Sequence, residues 1–168
     1  MSTELPVQDA TLAGGRTYIG YEDVRIISPT KDGNLDWRYA YELPHADAIF
    51  KVALNGQSLP GLYWGRNVCW SPCGKYIALE SYSSKNSALY VIDIGQALCT
   101  KIADHASAYC LNPPTIAFIL YGDSSAPEFR KSFSLQKHPP DQPLSDLGKE
   151  PLINEAPTID RRRWWKLR

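Results

Sequence analysis

The sequence has no excess of charge of either sign. Eighteen Lys and Arg residues balance eighteen Asp and Glu residues, for a formal net charge of zero at pH 7. A nucleic-acid binder usually shows a basic surplus, so that partner class is disfavoured except through a local patch. No apolar run approaches the length that spans a membrane, and no membrane contact is expected. The residues after Met1 read STELPVQD, with neither the basic region nor the apolar stretch of a secretory signal, so the expected compartment is the cytoplasm. Long amphipathic helical patterns are missing as well. Also missing are a Gly-x-Ser-x-Gly elbow, a phosphate loop, a His-Glu-x-x-His pair and a dinucleotide fingerprint. No enzyme class is therefore indicated by motif, and no cofactor is expected.

Cysteine and histidine are sparse. The four cysteines lie at 69, 73, 99 and 110, and His45, His105 and His138 are scattered. Cys69 and Cys73 have a spacing that can begin a zinc site, but no second close pair follows, and no metal is expected. The cysteines read as small buried apolar residues, kept reduced.

What the chain does have is strands and turns. Its 168 residues, 43% hydrophobic and 21% charged, suit one globular domain. The clearest stretch is 68–101. Val68, Cys69 and Trp70 form a short strand stopped at Ser71-Pro72, because proline offers no amide donor. Cys73-Gly74-Lys75 turns the chain, and 76–82 is a second strand. The polar stretch 83–87 leads to a third strand over 88–94. That strand is apolar on both faces except Asp93, which predicts cover on both sides. Gly95-Gln96 then turns into a fourth strand over 97–102.

The order of Trp70-Ser71-Pro72, Gly74-Lys75, Ile77-Ala78 and Tyr90-Val91-Ile92-Asp93 resembles one blade of the TolB-type β-propellers and their Trp-Asp-repeat relatives. Cys73 stands where such blades carry Asp. Fainter copies flank the stretch. Ser28-Pro29 and Asn112-Pro113 match Ser71-Pro72, and 49–54 matches 89–94 at a shift of about 40 residues, a period that suits four-stranded blades. Three blade-like units follow, at about 25–66, 67–107 and 108–135. A Pro-rich strap over 136–157 and a basic, aromatic segment over 158–168 complete a single β domain.

The resemblance implies an all-β class built from blade-like antiparallel sheets. Three units do not fill a propeller ring of four to eight blades. Either the strand at 16–21 joins a strand near 158–167 as a composite fourth blade of a very small propeller, or the units form an open sandwich. The uneven repeats favour the sandwich. Elsewhere, residues 1–15 read as a loose arm, Asn55-Gly56 as a hairpin turn, and 103–108 as a short connection. Trp37, Tyr39 and Tyr41 alternate along one strand face and read as core.

Candidate chemistry is thin. Asp104, His105 and Ser107 are acid, base and nucleophile types, but adjacency does not make a triad. Glu80 and Asp93 would support glycan or small-substrate processing if they lined one cleft 5–10 Å apart, roughly the separation glycosidases use. Binding surfaces are better represented. Tyr63 and Trp64 lie in a Gly-bounded stretch read as a loop, with Arg66 beside them. Interface hot spots favour these residue types. The turns at 31–35, 83–87 and 122–127 add Tyr82, Lys85 and Asp123. Arg161, Arg162 and Trp164 of the tail either anchor it to the sheet or bind nucleic acid.

A short, neutral, β-rich chain without catalytic motifs is similar in size and character to the immunity proteins of bacterial toxin systems. That likeness implies a non-enzymatic protein that binds and neutralises a cognate toxin, such as a nuclease. The alternatives are an enzyme using Glu80 or Asp93, and a nucleic-acid accessory protein using 161–168.

Overall fold

The computed structural model describes residues 4–44, 46–83, 86–121 and 131–148. Its strands are β1 (Val7–Asp9), β2 (Arg16–Tyr18), β3 (Val24–Ile27), β4 (Asn34–Glu42), β5 (Ala48–Leu54), β6 (Gln57–Ser58), β7 (Leu62–Trp64) and β8 (Asn67–Trp70). They continue with β9 (Tyr76–Tyr82), β10 (Ser87–Asp93), β11 (Leu98–Asp104), β12 (Ala106–Asn112), β13 (Thr115–Leu120), β14 (Lys131–Ser134) and β15 (Gln142–Pro143). A single 3-10 turn, Leu144–Asp146, follows. No α-helix occurs among the described residues, and the class is all-β.

Local chemistry explains the sharpest turns. Asn55 and Gly56 both take positive φ, 50° and 81°, and join β5 to β6 through two residues. That is the conformation a right-twisted hairpin needs, and Asn-Gly adopts it at little cost. Ser71 ends β8 and closes the next turn, where its Oγ accepts the Tyr76 N–H at 2.9 Å. β9 and β10 then pair antiparallel over seven residues.

Twelve strands form one mixed sheet in the order β1-β3-β4-β5-β7-β9-β10-β11-β15, with β6 on β5, β8 on β9 and β2 on β8. β12, β13 and β14 form a separate antiparallel sheet. One apolar cluster gathers Ile26, Leu35, Trp37, Phe50 and Val52 from β3–β5 with Trp70, Ile77, Leu79, Tyr90 and Ile92 from β8–β10. The large sheet therefore bends at short β7 and packs its two halves on each other. A second cluster joins Ala78, Leu89 and Val91 to Ala106, Ala108, Leu111, Ile116 and Phe118 of the small sheet. β9 and β10 are thus the middle of three layers. All seven β10 residues are buried, as its two apolar faces predict.

Several expectations need correction. No closed ring forms among the described residues, and strands of the first two blade-like stretches share one sheet through β7. The strand expected at 16–21 is β2, which pairs with β8 with Thr17 buried opposite Val68; the C-terminal strand expected beside it lies outside the described residues. The arm 1–15 is not loose where it is described. β1 lies parallel to β3, held by Arg25 N–H to Pro6 O and Ala10 N–H to Ile27 O at 2.8 and 2.9 Å. The connection expected at 103–108 shrinks to His105, at φ 49°, between β11 and β12. Trp37 is core, but Tyr39, on the same face opposite Phe50, is exposed, and a bulge between Tyr39 and Tyr41 shifts the β4 register and sets exposed Tyr41 opposite Ile49. Within the strap, β15 pairs with Leu98-Cys99 and Leu147 is buried; the remainder of the strap and the 158–168 segment lie outside the described residues.

Candidate functional site

The feature with most chemistry sits where β7 turns into β8. Gly65 makes this turn. Its N–H donates to Ala48 O at 2.8 Å, and a Cβ there would overlap the Phe50 ring and lie 3.1 Å from Ala48 O. Only glycine lets the backbone pass so close, and the next residue, Arg66, is turned outward.

Arg66 is held on four sides. Its Nε donates to Asp47 Oδ2 at 2.5 Å and its Nη1 to Glu80 Oε1 at 3.1 Å. The guanidinium lies 4.1 Å from the Trp64 ring centroid and 4.7 Å from that of Tyr121. This is the flat, forked geometry that lysine does not reproduce. Burial opposes its charge, but Asp47 and Glu80 outweigh burial and keep it protonated.

Glu80 is the polar exception in β9. Its position puts it on the face that meets the small sheet, and it is 3% exposed. Tyr121, just past β13, donates its hydroxyl to Glu80 Oε2 at 2.8 Å. The Tyr121 N–H bonds His105 O at 2.6 Å, which fixes the end of the small sheet. Burial pushes the Glu80 carboxyl up to about 7, against the opposing pull of Arg66, Tyr121 and Ser87. A carboxylate buried against a single shared guanidinium behaves this way, because desolvation penalises its charged form.

Aromatic side chains spread outward from Arg66. Trp64 meets the Tyr82 ring edge-on at 5.0 Å, and Tyr41 meets Tyr82 at 6.4 Å. The Gly20 N–H donates to Gly65 O at 3.3 Å and brings Tyr21 alongside. Tyr21 lies among Asp47, Tyr18 and Glu42; desolvation first, then these groups, raises its phenol pKa. Tyr18, Tyr21, Tyr41 and Tyr121 are each 40–60% exposed. The face is a tyrosine surface with a half-buried arginine at its centre, whereas exposed Tyr39 packs on Phe50 on the other side of the sheet.

The residues expected to bind a partner fall into three groups. Arg66 and Tyr82 lie on this face, half-buried. Trp64 lies beneath it as the platform for Arg66, 9% exposed. Tyr63 is a correction. The stretch read as a loop is strand β7, and Tyr63 is fully buried, with its hydroxyl donating to Pro60 O at 2.7 Å. Three residues were too few to show alternation between glycines. Lys85, Asp123, Arg161, Arg162 and Trp164 lie outside the described residues. Sequence reasoning missed Tyr18, Tyr21, Asp47 and Tyr121. The available signal was the recurrence of tyrosine at 18, 21 and 41.

The other candidates separate. Asp93 Oδ2 lies 3.4 Å from Lys75 Nζ, and Oδ1 accepts the Gln96 N–H that caps the following turn. Glu80 pairs with Leu89, four residues from Asp93 along β10, or about 13 Å. The two carboxylates therefore do not share the close spacing expected of a catalytic pair. Asp104 pairs with Lys101 at 2.6 Å, and buried Ser107 accepts from Asn67 at 3.2 Å. Among the described residues no three His, Cys, Asp or Glu side chains are placed to hold a metal ion. Cys69 and Cys99 are buried, with burial pushing their thiols up to about 12 and about 11. Cys73, in a turn, is exposed, and Cys110 is half-buried, so the buried reading holds for only two of the four.

Compared with known proteins, the chain matches no family model, no curated protein and no solved structure.

Proposed function

We propose that the protein is a non-enzymatic binding protein that covers and neutralises a cognate protein toxin, in the manner of a bacterial immunity protein. The observation that carries this reading is the exposed tyrosine face around Arg66. Tyrosine and arginine supply large contact area at low conformational cost, and Tyr, Trp and Arg dominate interface hot spots. Arg66 is pinned by Asp47, Glu80, Trp64 and Tyr121, so little of its freedom remains to be lost on binding. Exposed Glu42, near Tyr21, suits a partner with a basic surface, as a toxin nuclease would have.

The test is co-expression. The tagged chain is purified from its native cells with whatever it holds, and the captured protein is expressed alone and with the chain. The reading expects a stoichiometric partner that is toxic alone and harmless beside the wild-type chain. It also expects protection to fail with Arg66→Ala and Tyr21→Ala, both folded by circular dichroism. Protection that survives both substitutions, or a folded bait that captures no toxic protein, overturns it.

A further inference from the structure

Glu80 joins the two sheets at the edge of the proposed binding face, and its two oxygens are held from different layers. Arg66, from the β7–β8 turn of the large sheet, takes Oε1, and Tyr121, from the end of the small sheet, takes Oε2. We propose that Glu80 is a proton-controlled clasp on this face: ionised, it holds Arg66 inward against Tyr121, and protonated, it releases the guanidinium toward a bound partner. The regulatory part rests on the reading of this face as a binding surface; the clasp itself does not.

The groups around the carboxyl define the switch. From the β4–β5 turn, Asp47 shares Arg66 with it. Ser87 of β10 hydrogen-bonds the carboxylate. Ser107 of β12 bonds Tyr121 and accepts from Asn67 of β8. His105, at the β11–β12 turn, contributes its carbonyl to the Tyr121 N–H. Two carboxylates therefore share one guanidinium, and the joint carries one surplus negative charge. Asp47 is partly in water, with its side chain 39% exposed, whereas the Glu80 side chain is 3% exposed. A proton arriving from solvent is thus best placed on Glu80, where it removes the buried charge. Its carboxyl stands at about 7, so the change falls within the physiological range. The neutral acid keeps the Tyr121 contact through one oxygen and loses the ion pair. Arg66 retains Asp47 and is already 27% exposed. Of its four contacts only the Glu80 ion pair is lost to the proton; the Asp47 bond and the Trp64 and Tyr121 ring contacts set how far it turns outward.

Carbon-13 and nitrogen-15 NMR between pH 5 and 9 tests this on the full chain alone. The Glu80 carboxyl carbon is expected to titrate with a midpoint near 7, displaced from the ordinary 4.5. The Arg66 Nε–H and the Tyr121 amide should move at the same midpoint. In Glu80→Gln both should become independent of pH, and His105→Asn should leave the wild-type transition in place. A Glu80 midpoint near 4.5, Arg66 and Tyr121 signals following another midpoint, or a transition that persists in Glu80→Gln would each overturn the clasp. None of these needs a partner, so failure here is distinct from failure to capture one. A captured toxin bound equally at pH 6 and pH 8, with Glu80 titrating near 7, would overturn the regulatory part alone.

Discussion

The two faces of β9 meet two different interiors. Ile77 and Leu79 point into a core that holds Trp37, Phe50, Tyr63 and Trp70, all essentially inaccessible. Ala78, on the opposite face, points into one built mostly from Cys69, Ala106, Ala108, Leu89, Val91 and Ile116, with Phe118 as its buried ring. Rings are prominent in the first and aliphatic side chains in the second, which buries less apolar area per residue. The smaller interface is completed at its end by polar contacts, Glu80 with Arg66 and Tyr121. The same strand thus shows two ways of joining layers, one by volume and one by a buried charge.

The contrast can be broken most strongly in the ring-filled core. Trp70→Ala removes a fully buried indole that also donates to Gly74 O at 3.0 Å. The expected loss is about 4 kcal/mol in urea unfolding. The buried-charge joint should respond to pH instead. Glu80 binds its proton more tightly in the folded chain, at about 7 against 4.5. Its contribution to stability is full below about 4.5, declines as pH rises to about 7, and is flat above that. Relative to Glu80→Gln, the wild type should lose about 3 kcal/mol across that window, an upper figure because the joint relaxes. A difference between the two proteins that stays constant with pH would remove the charge from the account of this interface. Gly65→Ala presses a methyl group onto Phe50 and Ala48 O, and should cost about 2 kcal/mol while disturbing Arg66 next to it. The smallest effect belongs to a pair in neither core. Arg25 grips Asp36 across β3 and β4 at 2.6 and 2.7 Å, but its side chain is 42% exposed. Arg25→Ala should shift the same unfolding midpoint least of the four, because an exposed pair is screened by solvent.

The sequence was most readable where local chemistry decides. Pro72 ends β8, Asn55-Gly56 turns β5 back, and the unbroken apolar run of β10 announced cover on both sides. Pairing between distant segments was not readable. β1 is exposed at all three positions, so no alternation marked it as a strand, and its parallel partner is β3. The bulge between Tyr39 and Tyr41 has no residue signature, and it moves Tyr41 off the face that Trp37 and Tyr39 share. The Arg66 joint draws on residues 14 and 41 positions from Glu80. Each alone reads as an ordinary surface or strand residue; only the packing of one sheet on another brings them together.

The pairing of β2 with β8 has a consequence for biosynthesis. Arg16 is registered with Cys69, Thr17 with Val68 and Tyr18 with Asn67. During translation, β2 has no native neighbour until roughly fifty further residues have emerged from the ribosome, a wait of several seconds at about 5–20 residues per second. For that interval a short segment with a free backbone edge is open to chaperones and to other nascent chains. Its brevity, with only Thr17 of its three side chains destined for the interior, limits what such an encounter can hold.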